Sequence, residues 1–235
     1  MPEKRALVTG GTRGIGLATA LVLVRSGHEV FVTGRSSQCE PPPGCHYLSC
    51  DFADLAALER LASTIGDLRL SVLVNNAGIN KIGPLSQCDP KDFALIHQVN
   101  VTAPFMLCRA VVPGMQSRRF GRIVNIASIF SVVSKEGRSA YSASKFGLVG
   151  LSRSLAIEVA ADNILVNCLS PGFIDTDLTR ANLGPAGMQE MQARVPMQRL
   201  GQPEEIARYI GFLASEDNTY MTGQNVIVDG GFTCV

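Results

Sequence analysis

The chain has 235 residues, 46% of them hydrophobic, with 23 glycines and a formal net charge of +1 from 21 basic and 20 acidic side chains. That composition suits a globular α/β protein with a sizeable core, and the charge balance gives no electrostatic footing for nucleic acid or an anionic membrane as the main partner. Seven cysteines, an odd number without a CxxC pair, point to free thiols in a reducing compartment; Cys39, Cys45 and Cys50 cluster, but no second ligand group at zinc-site spacing follows them.

An apolar run begins within five residues of the start, leaving no room before it for a cleavable signal peptide. ALVTGG (6–11) reads as a buried strand, and TRGIGLATALVLVRSGH (12–28) as a helix ending at Gly27. EVFVTGR (29–35), CHYLSCDF (45–52) and LSVLVNNAG (70–78) are the next three strands, with helical DLAALERLASTIG before the last of them. RIVNIAS (122–128), ILVNCLSPG (164–172) and NVIVDGG (225–231) complete seven, and apolar-periodic helices fill 90–118, 140–160 and 203–214. Strand–helix alternation with near-continuously apolar strands predicts one α/β domain over 1–235, a Rossmann-type, doubly wound, seven-stranded parallel sheet with helices on both faces. Between the second and third strands lies only SSQCEPPPG, whose prolines forbid a helix interior, so that crossover is expected to be a loop exposing the adenosine end of any bound nucleotide. Apolar stretches such as ATALVLV (18–24) stay short of a membrane span, and a soluble cytoplasmic protein is expected.

TGGTRGIG (9–16) joins the first strand to the first helix. Gly10, Gly14 and Gly16, with Thr12 and Ile15 between them, would let the backbone approach a pyrophosphate at a helix N-terminus; the plainer alternative is a structural turn. At the end of the second strand, where an acidic residue would favour NAD(H), the chain has Gly34 and Arg35, with Arg13 in the glycine loop. Two guanidiniums without a carboxylate favour a 2′-phosphate, hence NADP(H) over NAD(H), unless both are simply exposed. Within YSASK, Tyr141 and Lys145 are one helical turn apart and share a face; alone, the pair reads equally as a tyrosine with a solvated lysine nearby.

Taken in order, TGxxxGxG at 9–16, CDF at 50–52, NNAG at 75–78, Asn100, Ser128, YxxxK at 141–145, PG at 171–172 with Thr176, and VDGG at 228–231 resemble the short-chain dehydrogenase/reductase family over the whole chain, most closely the bacterial 3-oxoacyl-[acyl-carrier protein] reductases. The resemblance implies that Asp51 and Phe52 hold the adenine, and that Asn76, Ala77 and Gly78 line the ribose–nicotinamide side. It places Ile174 and Thr176, after Pro171 and Gly172, at the carboxamide. It also implies a catalytic set of Asn100, Ser128, Tyr141 and Lys145: Tyr141 as acid in reduction and base in oxidation, Lys145 as its tuner and a ribose ligand, and Ser128 as donor to the substrate oxygen. Asn100 would hold a water linking Lys145 to solvent. A phenol, whose ordinary pKa is about 10, needs about 3–4 kcal/mol of differential stabilisation to drop two or three units, which a nearby ammonium and an oxidised nicotinamide have the right sign to supply. His28, His46 and His97 match no motif position, no metal is expected, and no nucleophile elbow surrounds Ser128.

Substrate contacts are expected from 128–138, including Arg138, from Phe173, and from 177–196, which reads as a mobile lid. Arg119 matches one of two arginines with which carrier-dependent relatives dock the acyl carrier, while the second position holds Asp162, and Arg138 replaces a glutamine common just before the tyrosine. Lys135 and Arg138 would instead suit a phosphate or carboxylate on a smaller polar substrate, such as a sugar or nucleotide-sugar derivative, the plainer alternative being a solvated loop. The reading is therefore an NADPH-dependent reductase of a small-molecule carbonyl, with a sugar or alcohol dehydrogenase and a non-catalytic dinucleotide-binding protein as alternatives. The resemblance implies a homotetramer, or a dimer, packed through the helices at 90–118 and 140–160, with the apolar C-terminal GFTCV at a second interface.

Overall fold

A computed structural model describes residues 4–235. Seven strands, β1 (Arg5–Val8), β2 (Glu29–Gly34), β3 (Cys45–Ser49), β4 (Val72–Asn75), β5 (Gly121–Ile126), β6 (Ile164–Pro171) and β7 (Asn225–Val228), form one sheet in the order β3-β2-β1-β4-β5-β6-β7. Every pairing is parallel. The order reverses between β1 and β4, which opens a crevice at the C-terminal strand ends. All four residues of β4 and all eight of β6 are buried, which is why these strands are apolar without alternation.

Seven α-helices cover the sheet: α1 (Gly14–Arg25), α2 (Leu55–Asp67), α3 (Pro90–His97), α4 (Ala103–Arg118), α5 (Ser139–Val159), α6 (Asp177–Arg194) and α7 (Pro203–Leu213). Leu23 of α1 and Ile206, Ile210 and Leu213 of α7 pack on Val30, Val32, Val74 and Val124 on one face. On the other, Leu58, Leu61 and Ile65 of α2, Leu107, Val111 and Met115 of α4 and Val159 of α5 pack on Leu7, Leu73, Ile123 and Val166. At about 1.5–3 kcal/mol for each large apolar side chain fully buried, these two layers are the main favourable term in the fold.

Three expectations change. The strand-like runs overshoot: 9–11, 50–52, 76–78 and 229–231 leave the sheet as loops, because the glycines, asparagines and aspartates at the strand ends break the ladder. The single helix expected at 90–118 is α3 and α4 joined by a π-helical turn at Gln98–Thr102. This 29-residue run is long and apolar enough, by length and composition, to cross a membrane, contrary to the expectation that every apolar stretch falls short; here it supplies Leu107, Val111 and Met115 to the core. The segment at 177–196 is helical through Arg194, interrupted at Gly184 (φ 63°, ψ 177°). The β2–β3 link carries no helix, as its prolines require.

Candidate active site

Past the strand ends lies a cleft of about 720 Å³. At one end β1 gives way to the glycine loop, where Gly10 (φ 63°) and Gly14 (φ 53°) adopt left-handed backbone that suits residues without a Cβ. Gly16 does not line the cleft. It lets α1 approach the loop: a Cβ there would lie 2.2 Å from the Gly10 carbonyl oxygen. The loop is pinned from β4, since the Thr9 hydroxyl accepts from the backbone N–H of Asn76 and of Ala77, each at 2.9 Å. The Asn76 amide in turn donates to the Thr9 and Gly10 carbonyls at 2.9 and 3.3 Å. Asn76 therefore holds the loop as well as bordering the cleft. Helix α1 has no acidic residue in its first turn and no side-chain cap from Arg13, so its N-terminal amides and dipole are left for an anion. Thr12, Arg13, Gly14 and Ile15 border this cradle, which fits a pyrophosphate.

Beyond it the cleft runs between Gly34 at the end of β2 with Arg35 and Ser36 after it, and Cys50, Asp51 and Phe52 after β3. Arg13 and Arg35 are both exposed. Phe52 borders the cleft at the edge of the core: it is 5% exposed and packs with the α2–α4 layer, and Gln98 donates to its carbonyl at 3.4 Å.

The other end gathers Asn76, Ala77, Gly78, Ser128, Tyr141 and Lys145, faced by Pro171, Gly172, Ile174 and Thr176. Ser128 stands just past β5, accepts from the Phe130 N–H at 3.2 Å, and lines the cleft beside the half-buried Tyr141. One turn along α5, Lys145 is 4% exposed, donates to the Ile126 carbonyl at 2.7 Å and lies 5.6 Å from the centroid of the Tyr141 ring. Asn100 is held behind them in the π-helical turn. Its amide donates to the Ile79 carbonyl at 2.9 Å and the Ser144 hydroxyl at 3.0 Å, and its oxygen accepts from the Ile79 N–H at 2.9 Å. A Cβ on Gly78 would come within 3.3 Å of the Asn100 oxygen and 3.6 Å of Lys145 Nζ, so a glycine there gives these groups room.

Burial dominates the electrostatics. It raises the Tyr141 phenol above its usual range, against the opposing pull of the nearby Ser128 hydroxyl and the Arg138 charge, and it pulls the Lys145 ammonium down to about 8. The phenol lowered by Lys145 that the motif suggests is thus not a property of the free chain: Lys145 is itself desolvated and spends a hydrogen bond on a carbonyl.

Arg138 and Phe173 do not line the cleft. Arg138, 5% exposed, lies 5.1 Å over the Phe130 ring, and Phe173, 9% exposed, meets Phe130 and Phe232 edge-on at 6.3 and 5.1 Å. None of His28, His46 and His97 lines it either, and no cluster of three His, Cys, Asp or Glu side chains suited to a metal occurs among the described residues. Thr9 and Ser144 are supports that motif reading passes over, and their signals are slight. Thr9 directly precedes the glycine loop, and Ser144, which donates to the Tyr141 carbonyl at 2.7 Å, is one of the small residues inside YSASK.

A family profile described as enoyl-(acyl carrier protein) reductase matches residues 10–233. The 3-oxoacyl-[acyl-carrier-protein] reductase FabG of Pseudomonas aeruginosa is 39% identical over 241 residues, covering 97% of this chain and 96% of the relative. The corresponding reductase MabA of Mycobacterium tuberculosis is 37% identical over 231 residues, covering 97% and 92%. Among solved structures, a provisionally assigned NAD(P)-dependent gluconate 5-dehydrogenase from Beutenbergia cavernae, with NADP bound at low occupancy, superposes with a TM-score of 0.93 at 33% identity, covering 100% of this chain and 98% of the other. With a matching profile over nearly its whole length and relatives well above 30% identity, the chain belongs to the short-chain dehydrogenase/reductase family.

Proposed function

We propose that this protein is an NADPH-dependent reductase of a 3-oxoacyl thioester. The observation that carries the reading is that Ser128, Tyr141 and Lys145 line one cleft together with a glycine cradle for a pyrophosphate. Thr12, Arg13, Gly14 and Ile15 would hold the pyrophosphate, Arg13 and Arg35 the 2′-phosphate, Asp51 and Phe52 the adenine, and Lys145, Ile174 and Thr176 the nicotinamide end. When bound, the cofactor supplies a hydride to the carbonyl carbon. The side chains manage the charge and proton that follow: Ser128 hydrogen-bonds the carbonyl oxygen as it becomes negative, Tyr141 gives it the phenolic proton, and Lys145 favours the phenolate left behind. A phenol raised by burial stays protonated at neutral pH, which suits an acid in the reducing direction.

The substrate class follows the curated relatives FabG and MabA, which are named 3-oxoacyl-[acyl-carrier-protein] reductases. Carrier docking finds less support. Arg119 is paired with Asp162 at 3.5 Å and donates to the Ala161 carbonyl at 2.7 Å, so an acidic carrier would meet a neutralised pair in place of two arginines. Seven unpaired cysteines agree with a cytoplasmic setting. The assembly is read as a homotetramer, for which exposed Phe146 and Ile157 on α5 supply an apolar face.

The test is NADPH and NADH oxidation with a 3-oxoacyl thioester, carrier-bound and as a small thiol ester, beside keto-sugars. NADPH-dependent thioester turnover that falls at least about 10²-fold in Tyr141→Phe is expected. Turnover of keto-sugars alone, or a Phe variant as active as the parent, overturns the reading.

A further inference from the structure

The cleft accounts for Lys145 but not for Arg138, a buried cation just before α5. Its guanidinium pairs with no carboxylate among the described residues, and its Nε has no hydrogen-bond partner. A cation buried this far without a carboxylate is unfavourable unless something nearby draws on it. Tyr141, three residues on, stands in the first turn of the helix that begins just after Arg138. The Phe130 ring packs against both, at 5.1 Å from the guanidinium carbon and 6.3 Å from the Tyr141 ring.

Few other charges reach the phenol. Arg138 just before α5 and Lys145 within it contribute the cations, the segment after β5 contributes uncharged Ser128 and Phe130, and α6 contributes apolar Leu183 and Met188. Lys135 and Glu136 are exposed on the loop before Arg138, and Arg194, beyond Phe232, is paired with Glu190. Lys145 is engaged by the Ile126 carbonyl and falls to about 8, so its charge fades as the medium turns alkaline. A guanidinium keeps its charge there.

We propose that Arg138 is a positioning residue for proton transfer, a fixed positive charge buried beside Tyr141 that favours the phenolate and sets the acidity of its hydroxyl. The inference rests on Tyr141 being the acid. In the step it assists, the Tyr141 O–H bond breaks, the proton forms a bond to the alkoxide oxygen of the product, and the electron pair stays on the phenolate until solvent returns a proton.

The experiment follows the NADP-bound enzyme by the near-ultraviolet absorbance of phenolate. Each titration is corrected with the same protein carrying Tyr141→Phe, and is paired with the pH profile of thioester reduction. Arg138→Gln and Arg138→Met remove the charge, the second keeping an apolar stem against Phe130 should the first be unstable; Arg138→Lys keeps it. Loss of the charge is expected to raise the Tyr141 titration and the falling limb of reduction by about two pH units, the effect of a charge one side chain (about 6 Å) away at an effective dielectric of about 20. The Lys variant is expected to restore both. An unmoved Tyr141 titration in a folded Gln or Met variant overturns the proposal, as does failure of Lys to restore it, whatever happens to KM or stability. If Tyr141→Phe reduces thioesters at the parent's rate, the assignment of Tyr141 has failed instead, and this inference with it.

Discussion

Lys145 shows what the site costs the fold. Its ammonium is 4% exposed, and burial takes it from an ordinary value of 10.5 to about 8. Because the folded value lies below the unfolded one, the folded chain binds fewer protons between these limits and stability rises with pH across that window; below pH 8 the penalty is complete. Two to three units correspond to about 3 kcal/mol, partly offset by the hydrogen bond to the Ile126 carbonyl, worth about 1 kcal/mol. Lys145→Met, similar in length and uncharged, is therefore expected to stabilise the free protein at pH 7 by about 1–2 kcal/mol while abolishing reduction. Urea unfolding at pH 7 and at pH 10 checks this: the gain should shrink toward zero at the higher pH. A variant less stable than the parent at pH 7 would mean that the buried ammonium is not a burden.

At the scale of elements, the glycine loop and α1 form one mechanical piece. The Cβ of Gly16→Ala would stand 2.2 Å from the Gly10 carbonyl and 2.6 Å from the Asn76 amide, so the helix must withdraw or the loop unpin. Overpacking of this kind costs about 1–3 kcal/mol, and here it falls on the cradle. Weaker NADPH binding by about tenfold or more is expected by fluorescence titration, with a lower melting temperature; parent-like affinity would show that the cradle tolerates the shift. This loop is legible in the sequence because a strand, three spaced glycines and an apolar helix occur in succession, and all seven strands can be found from their apolar runs. Where strands stop is harder to read. Residues 76–78 and 50–52 look like strand continuations because they are flanked by apolar side chains, yet they leave the ladder to border the cleft. Asn100 is poor material for a helix, and the helix opens around it into a π-helical turn whose side chain bonds Ile79 and Ser144. Local periodicity cannot anticipate that turn, since both partners come from elsewhere in the chain. Arg138 reads in the sequence as facing a substrate anion because charge usually marks a surface. The Phe130 ring that covers it is visible only in three dimensions.

On the scale of the whole molecule, the helix carrying Tyr141 and Lys145 is also the one with the most conspicuous unpartnered face. Phe146 is 48% exposed and Ile157 83% exposed, eleven residues apart on α5 and so on one side of it, with Gly150 between them and open space beside it. Phe105 of α4, 46% exposed, is a further large apolar side chain left in solvent. A symmetric contact between copies through such a face would bury it and brace the catalytic helix from behind. Sedimentation at micromolar concentration is expected to give four copies of the 25.1 kDa chain. The double substitution Phe146→Glu with Ile157→Asp should reduce this to a smaller species, because a charge at the centre of an apolar contact is left unpaired on both copies. Thioester reduction should fall with dissociation and recover, in the parent, as protein concentration rises. Since neither side chain borders the cleft, a loss of rate that tracks the size of the particle would tie assembly to the placement of Tyr141. A parent sedimenting at 25.1 kDa with full activity would show instead that α5 needs no second copy to hold its proton donor in position.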